Sequence, residues 1–306
     1  MTGISVRRHP RTLEDNPNVL ANGNGSESPP RTDPMSWDSY YNHVGTAYDD
    51  IAAEYDESVG QYAVSQRAKK LALQMIRHLS PPQGKLLDIG CYTGIEALAL
   101  ARQGFRVVGV DLSPQMVTLA NAKARRFRLH DNARFYPLRA SDLALLGGDS
   151  GAPFDTAYSV YGTLNLEPQL HRFKVALAGM LRERGAFVCG LLNPTVLYEL
   201  VGGPILLKFH GYRKLAKVRV KTHIGLGDGI VETFLYTPHE FADLMRPEFE
   251  LEGIRGLHLL YPPPRRRGAL DLWWIARALD SIERVLETRA PFASLGFFSL
   301  LVLRKV

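Results

Sequence analysis

Two cysteines in 306 residues are too few for a disulfide framework or a thiolate metal cluster. Cys91 and Cys189 are therefore read as reduced thiols, with a cytoplasmic setting as the expectation. Nowhere does an apolar run approach the roughly 20 residues of a membrane-spanning helix. No apolar segment follows the basic residues at the start, so neither a span nor a signal peptide is predicted. Acidic residues are only slightly outnumbered, 31 against 37 Lys and Arg, a formal charge of +6 that permits an anionic partner without demanding one. His, Cys and acid do not cluster at ligand spacing, so no metal is called for. A continuous basic stripe with interleaved aromatics is also missing, which argues against a nucleic-acid substrate. What is present is an ordinary globular composition, 45% hydrophobic and 22% charged, enough for one large α/β domain. Residues 1–34 are the exception. Their Asn-Gly-Asn-Gly-Ser-Glu-Ser-Pro-Pro centre and near lack of aromatics predict a disordered tail, which leaves 35–306 as the domain.

The organising stretch is Lys85-Leu-Leu-Asp88-Ile-Gly90-Cys-Tyr-Thr-Gly94. Its apolar run predicts a buried strand ending in a carboxylate, then a loop with glycine at both ends, then a helix over 95–102. Open α/β sheets bind ligands at the carboxyl edge of their strands, and a helix start offers unpaired N–H groups. A buried carboxylate before the loop would repel a pyrophosphate yet accept from an ammonium, and the loop does not satisfy Gly-x-Gly-x-x-Gly. Hydride transfer from a nicotinamide dinucleotide is disfavoured on both counts. A second strand over 106–110 ends in Asp111. It lies about 20 residues past the loop, where a Rossmann-type fold sets an acid on ribose hydroxyls. Ser113-Pro114 then opens a helix, serine as N-cap and proline in the first turn.

Together these segments resemble the first and second motifs of the class I S-adenosylmethionine-dependent methyltransferases. The resemblance spans about Tyr40–Val306. It implies an α/β fold, a Rossmann-like sheet of seven strands with helices on both faces and an antiparallel last strand. It also implies S-adenosyl-L-methionine as cofactor and S-adenosyl-L-homocysteine as product. The cofactor wall would comprise Asp88, Gly90, Cys91, Tyr92 and Gly94, then Asp111, Leu112 and Met116, the last two flanking adenine. Tyr92 stands where the family pattern has its middle glycine. Ser141-Asp142-Leu143, after a strand over 133–136, is similar to the third motif, in which an acid accepts from the adenine amino group and the next backbone N–H meets the ring. A fourth strand then runs through Ser159 into a loop with Tyr161 and Asn165, which in the family separates cofactor from acceptor. Tyr48-Asp and Tyr55-Asp56 resemble the element that covers the cofactor in many members. Helical spacing puts Tyr48, Ile51, Ala52 and Tyr55 on one face, and an aromatic face suits a sulfonium. Packing of those aromatics into the sheet, and loop anchoring by Asn165, stand as the plainer alternatives.

Residues 35–80 are read as lid helices, including an amphipathic one over 66–79, and a helix over 170–181 precedes a fifth strand over 186–192. Two insertions, 194–237 and 261–292, exceed a minimal fold and are read as a cap. Between Glu199 and Asp228 there is no acidic residue, while Lys208, Arg213, Lys214, Lys217, Arg219 and Lys221 all occur. Residues 217–224 alternate as a strand and pair across a Gly-rich turn with 230–236. Their basic side chains either steer an anionic acceptor or are simply solvated. Thr237-Pro-His-Glu240 is a capping box. Strands six and seven are placed at 249–256 and 297–304, interrupted by Pro262-Pro-Pro-Arg-Arg-Arg267 and a helix over 270–286 with Trp273 and Trp274. A basic turn before an aromatic helix suits a membrane surface. Asp271, Asp280, Glu283 and Glu287 weigh against it, so packing across the cap or a homodimer contact is favoured and no stable membrane association is expected.

The expected activity is methyl transfer to O, N or C of a small-molecule acceptor, in the manner of specialised metabolism. RNA or protein methylation, and a non-catalytic cofactor-binding module, are the alternatives. The acceptor pocket is drawn from Tyr41, His43, Tyr161, Asn165, Asn193 and Tyr236. Displacement at an activated methyl group needs positioning first. Base candidates are His43, beside the aromatic lid, and His210, His223 and His258 in the cap, with none assigned.

Overall fold

Strict two-residue alternation in the central strands builds two cores on opposite faces of one sheet. In β1 (Lys85–Ile89), Leu86 joins one cluster while Leu87 and Ile89 join the other. In β5 (Leu181–Leu192), Val188 faces the first and Phe187 and Cys189 the second. The computed structural model describes residues 36–60, 63–148, 151–205, 219–223, 230–260 and 273–306. The tail expected over 1–34, His210, the turn 262–267 and residues 224–229 between the expected cap strands lie outside them. Trp37–Val306 is one compact unit.

The main sheet has seven strands in the order β3-β2-β1-β4-β5-β9-β8, with β2 (Arg106–Asp111), β3 (Ala133–Pro137), β4 (Phe154–Ser159), β8 (Phe249–Leu257) and β9 (Phe298–Lys305). The first five are mutually parallel, whereas β9 is antiparallel to both β5 and β8. The expected fold is borne out. The order reverses beside β1, with β2 on one side and β4 on the other, so their carboxyl edges leave a crevice where ligands bind in open α/β sheets.

Small and apolar residues at helical spacing cover each face. Ala68, Ala72 and Ile76 of α3 (Ala63–Leu79), Ala97 and Leu98 of α4 (Ile95–Ala101), and Val117, Ala120 and Ala124 of α5 (Pro114–Arg126) pack on one side. Leu170, Phe173 and Leu177 of α6 (Leu170–Met180) and Phe241 of α8 (Pro238–Leu244) pack on the other. Each fully buried Leu or Phe stabilises the fold by about 1.5–3 kcal/mol relative to exposure. Ser113 caps α5 by accepting from Met116 N–H at 3.1 Å, and Thr237 with Glu240 forms the capping box of α8. Between β5 and the cap, α7 spans Leu197–Ile205.

Two boundaries differ from the periodicity. The helix expected over 170–181 stops at Met180, because buried Leu181 already pairs with Phe154 in β4 and starts β5. The lid helix is divided into α1 (Trp37–Ile51), a 3₁₀ turn over Ala52–Glu54 and α2 (Tyr55–Gly60). The last helix, α9, covers Trp273–Leu286. The cap hairpin pairs β6 (Arg219–His223) with β7 (Ile230–Phe234), and β7 rests on α1 through Phe234 against Tyr40, with ring centroids 5.9 Å apart. Among the described residues no helix is long and apolar enough to cross a membrane.

Candidate cofactor site

The loop after β1 is held by two N–H groups, from Gly90 at 2.8 Å and Cys91 at 3.0 Å, that share the Val110 carbonyl of β2. This pulls the chain into left-handed geometry at Gly90 (φ +75), Tyr92 (φ +47) and Gly94 (φ +78). Gly90 could carry no side chain, since a Cβ there would sit 2.3 Å from Thr163 Cγ2. Tyr92 adopts the glycine-like conformation of the slot it fills. Its N–H donates to Asp111 Oδ2 at 2.8 Å and Ser113 N–H donates to Asp111 Oδ1 at 2.9 Å, so the acid ending β2 is clamped by backbone on both oxygens. Burial raises the Asp111 carboxyl to about 6.

The Tyr92 ring stacks on Tyr55 with centroids 4.8 Å apart at 14°, and tilts against Tyr48 at 5.6 Å. Beneath the loop, Asp88 is buried, and burial followed by the charge of Glu96 holds its carboxyl well above the usual range. Glu96 in turn meets Lys69 Nζ at 3.0 Å and accepts from the Tyr161 hydroxyl at 3.3 Å. Two aspartates tie the lid down. Asp49 of α1 accepts from the Ser113 hydroxyl and from Gln115 N–H at the start of α5, and Asp56 of α2 accepts from the Thr93 hydroxyl and the Lys123 ammonium.

Between lid and sheet edge runs a cleft with about 500 Å³ of space between its walls, open solvent at its mouth included. Gly90, Tyr92 and Thr163 line it, as do Asp111, Leu112, Val44 and Tyr48. Leu138, Ala140 and Leu166 add apolar wall, and Tyr41 and Glu167 bring polar groups to it. Glu167 is buried and accepts from the Tyr41 hydroxyl, from Gln169 N–H at 2.7 Å and from Ser141 N–H at 3.1 Å.

Residues 86–185, from the first of these strands to the start of the fifth, match a family model described as a methyltransferase domain. Over this segment the chain is similar to methyltransferase domains. It is 25% identical to the ubiquinone biosynthesis O-methyltransferase of Psychrobacter cryohalolentis over 218 residues, 68% of this chain and 72% of that protein. It is 29% identical to the erythromycin 3''-O-methyltransferase of Saccharopolyspora erythraea over 143 residues, 46% and 45% of the two chains. The relatives at 33–38% identity, the ubiquinone biosynthesis O-methyltransferase of Albidiferax ferrireducens among them, are matched over less than a third of their own length. Among solved structures, the CcbJ methyltransferase of Streptomyces caelestis shares the fold at TM-score 0.56 and 17% identity, covering 85% of this chain and 98% of that one. The [4+2]-cyclase SpnF shares it at 0.54 and 18%, covering 87% and 96%.

Of the expected cofactor residues, Tyr48, Gly90, Tyr92, Asp111 and Leu112 line the cleft. Asp88, Cys91, Met116 and Ser159 are buried and outside its lining, as are Tyr55, Gly94 and Ser141, and half-buried Tyr161 is outside it too. Leu143 is packed in the core with Phe173. Asp142 is ion-paired with Arg172 at 2.9 Å instead of lining the cleft.

The acceptor set drawn from the sequence does not converge, and of its members Tyr41 alone lines the cleft. His43 is exposed, with Nε2 2.9 Å from the Ile230 carbonyl, which spends that nitrogen on joining α1 to β7. The Asn165 amide donates to the Leu192 and Phe234 carbonyls at 3.2 and 2.6 Å and accepts from Leu192 N–H at 2.8 Å, the anchoring role. Asn193 donates to the Ser294 carbonyl at 2.6 Å and accepts from Thr195 N–H at 3.0 Å. Tyr236 packs against Phe241. Glu167 and Thr163 were missed. Both lie where a 3₁₀ turn (Thr163–Leu166) leaves no periodicity to read.

Proposed function

We propose that this chain is an S-adenosylmethionine-dependent methyltransferase acting on a small-molecule acceptor. The observation that carries the reading is Asp111. It stands at the carboxyl edge of β2 in the cleft wall, each oxygen accepting one backbone N–H. An ionised carboxylate offers about four acceptor positions, so two remain for the adjacent hydroxyls of a ribose. Buried Glu96, paired with Lys69 at 3.0 Å, and buried Asp88, whose raised carboxyl would ionise beside a bound ammonium, make the loop region one that favours an ammonium and disfavours a phosphate. Gly90, open to the cleft and unable to bear a Cβ, lets the ligand approach the backbone.

Asp111, Leu112, Gly90 and Tyr92 would hold the cofactor, with Tyr48 closing over it. When bound, it supplies a methyl group already activated by a sulfonium. The tasks left to this chain are to orient the acceptor lone pair in line with the methyl group, to exclude water beneath the lid and to receive the acceptor's proton. The Tyr48 ring, tilted against Tyr92 with centroids 5.6 Å apart, supplies aromatic surface that suits a cation. The enclosed cleft, and the small molecules named for the relatives that methylate oxygen, favour a small acceptor over RNA or protein. SpnF, a cyclase on the same fold, supports a second reading in which the cofactor-type cleft serves other chemistry.

Calorimetry with S-adenosylmethionine and S-adenosylhomocysteine tests the first step, with Asp111→Ala as control. Binding of both to the wild type and loss in the variant support the site, and no binding of either refutes it. Transfer of a labelled methyl group to phenolic or hydroxylated small molecules then separates a methyltransferase from a binder of other chemistry. A steep salt dependence of RNA binding would overturn the choice of acceptor class.

A further inference from the structure

Resting on the cofactor reading above, we infer that Glu167, from the loop after β4, reads the amino edge of the adenine base, a role the sequence pattern gives to Asp142. Three observations carry this. First, Asp142 is committed to Arg172 and is not part of the cleft wall, whereas Glu167 is. Second, besides ribose-facing Asp111 the wall offers the apolar side chains of Leu112, Leu138, Ala140 and Leu166 with two charged groups, Arg139, which pairs with Asp38 at 2.6 Å, and the Glu167 carboxylate, the acceptor of the two, which suits a flat heteroaromatic ring with a donor on its edge. Third, Glu167 is fixed before any ligand arrives. Its Oε1 accepts from Tyr41 and Gln169, and its Oε2 accepts from Ser141 N–H.

With two acceptor positions on each oxygen, Oε1 is filled and Oε2 keeps one for an amino hydrogen. The groups facing Glu167 are the Tyr41 hydroxyl, the Ser141 and Gln169 N–H groups and the Asp142 carboxylate. Burial, offset in part by these hydrogen bonds, raises the Glu167 carboxyl, so its charge is costly to leave without a donor. A site built around a hydrogen-bonded partner rejects the analogue lacking it far more strongly than an apolar slot does.

The test compares S-adenosylhomocysteine with S-inosylhomocysteine, whose carbonyl replaces the amine, by calorimetry on the full chain. The wild type should bind the adenine compound at least about tenfold more tightly. Glu167→Gln, whose amide can donate to the carbonyl, should shrink that ratio several-fold, while Asp142→Asn should leave it unchanged. Tyr41→Phe, which removes a neighbour and keeps the carboxylate, should preserve it. A ratio retained in Glu167→Gln, or lost in Asp142→Asn, overturns the assignment. Binding of neither compound to the wild type overturns the cofactor reading itself, and the inference with it. If Glu167→Gln does not fold, the ¹⁵N shift of the labelled adenine amine on wild-type protein decides. A shift beyond that of the free ligand that follows Glu167 ionisation supports the contact, and no shift refutes it.

Discussion

Tyr92 donates its backbone N–H to Oδ2 of Asp111 at 2.8 Å while holding φ at +47, so the residue that breaks the glycine pattern still performs the backbone task of a glycine. A non-glycine residue in left-handed geometry costs about 1–2 kcal/mol. The buried, stacked ring more than offsets this, since removing a large aromatic from a core costs about 3–5 kcal/mol. Tyr92→Gly should therefore lower the melting temperature, by an amount corresponding to about 1–4 kcal/mol on the same figures. It should keep or improve affinity for S-adenosylhomocysteine, because the N–H to Asp111 survives and the cleft widens. Thermal denaturation beside calorimetry checks both, and a stable variant that no longer binds would show that the ring itself is part of the site.

The raised carboxyl of Asp111 sets a pH dependence with opposite signs for folding and for binding. Burial lifts it from 3.8 to about 6, so the folded chain holds the proton more firmly than the unfolded one. The stability this contributes is present in full below about pH 4 and is lost as pH rises through about 6. Binding runs the other way, because ribose hydroxyls need the ionised acceptor. Affinity should be flat above pH 7 and fall about tenfold per unit below 6. Asp111→Asn should bind more weakly and lose most of that slope. A wild-type profile flat to pH 5 would mean that Asp111 does not face the ligand's hydroxyls.

How much of this was legible follows from which interactions are local. The strands β1 and β2 are apolar runs ending at acids, and Ser113-Pro114 and Thr237–Glu240 are local capping patterns, so the structure places all four as expected. Asn165 was open to two readings and Asn193 was placed in the acceptor pocket, and the anchoring role of both depends on carbonyls that only the fold brings near. Glu283 was misjudged for the same reason. Read as one of the acids weighing against a membrane surface, it is fully buried and paired with Arg67, 216 positions earlier in the chain.

The lid is latched to the glycine loop by Asp56 as well as by the Tyr55–Tyr92 stack. Asp56 is 44% exposed and joins Lys123 and Thr93, so the pair contributes at most about 1 kcal/mol to stability. Its effect should appear in kinetics. Asp56→Asn should leave the melting temperature within about 4 °C and raise the cofactor dissociation rate several-fold, since α2 would keep the Tyr55–Tyr92 stack alone as its tie to the glycine loop. In the wild type that rate should also rise with salt, as an exposed pair is screened. Stopped-flow displacement of bound S-adenosylhomocysteine measures both, and equal rates in variant and wild type would remove the latch from the account.

Glu283 supplies the strongest stability test. Its carboxylate accepts from Arg67 at 2.6 Å and from the backbone N–H groups of His258 and Leu259 at 3.0 and 3.2 Å, while neighbouring Glu287 pairs with Arg67 at 2.6 Å and Arg255 at 3.1 Å. The group thus joins α9, α3 and the end of β8. Removing one partner of a buried pair costs about 3–5 kcal/mol, because the remaining charge and donors stay desolvated. Glu283→Ala should therefore lower the melting temperature by roughly 6–20 °C, at about 2–4 °C per kcal/mol for a chain of this size. Glu283→Gln, which keeps a carbonyl acceptor for the backbone, should lose less. None of these residues lines the cleft, so S-adenosylhomocysteine affinity measured well below the transition should be unchanged in both variants. A Glu283→Ala variant as stable as the wild type would show that Arg67 and the two N–H groups find other partners or water.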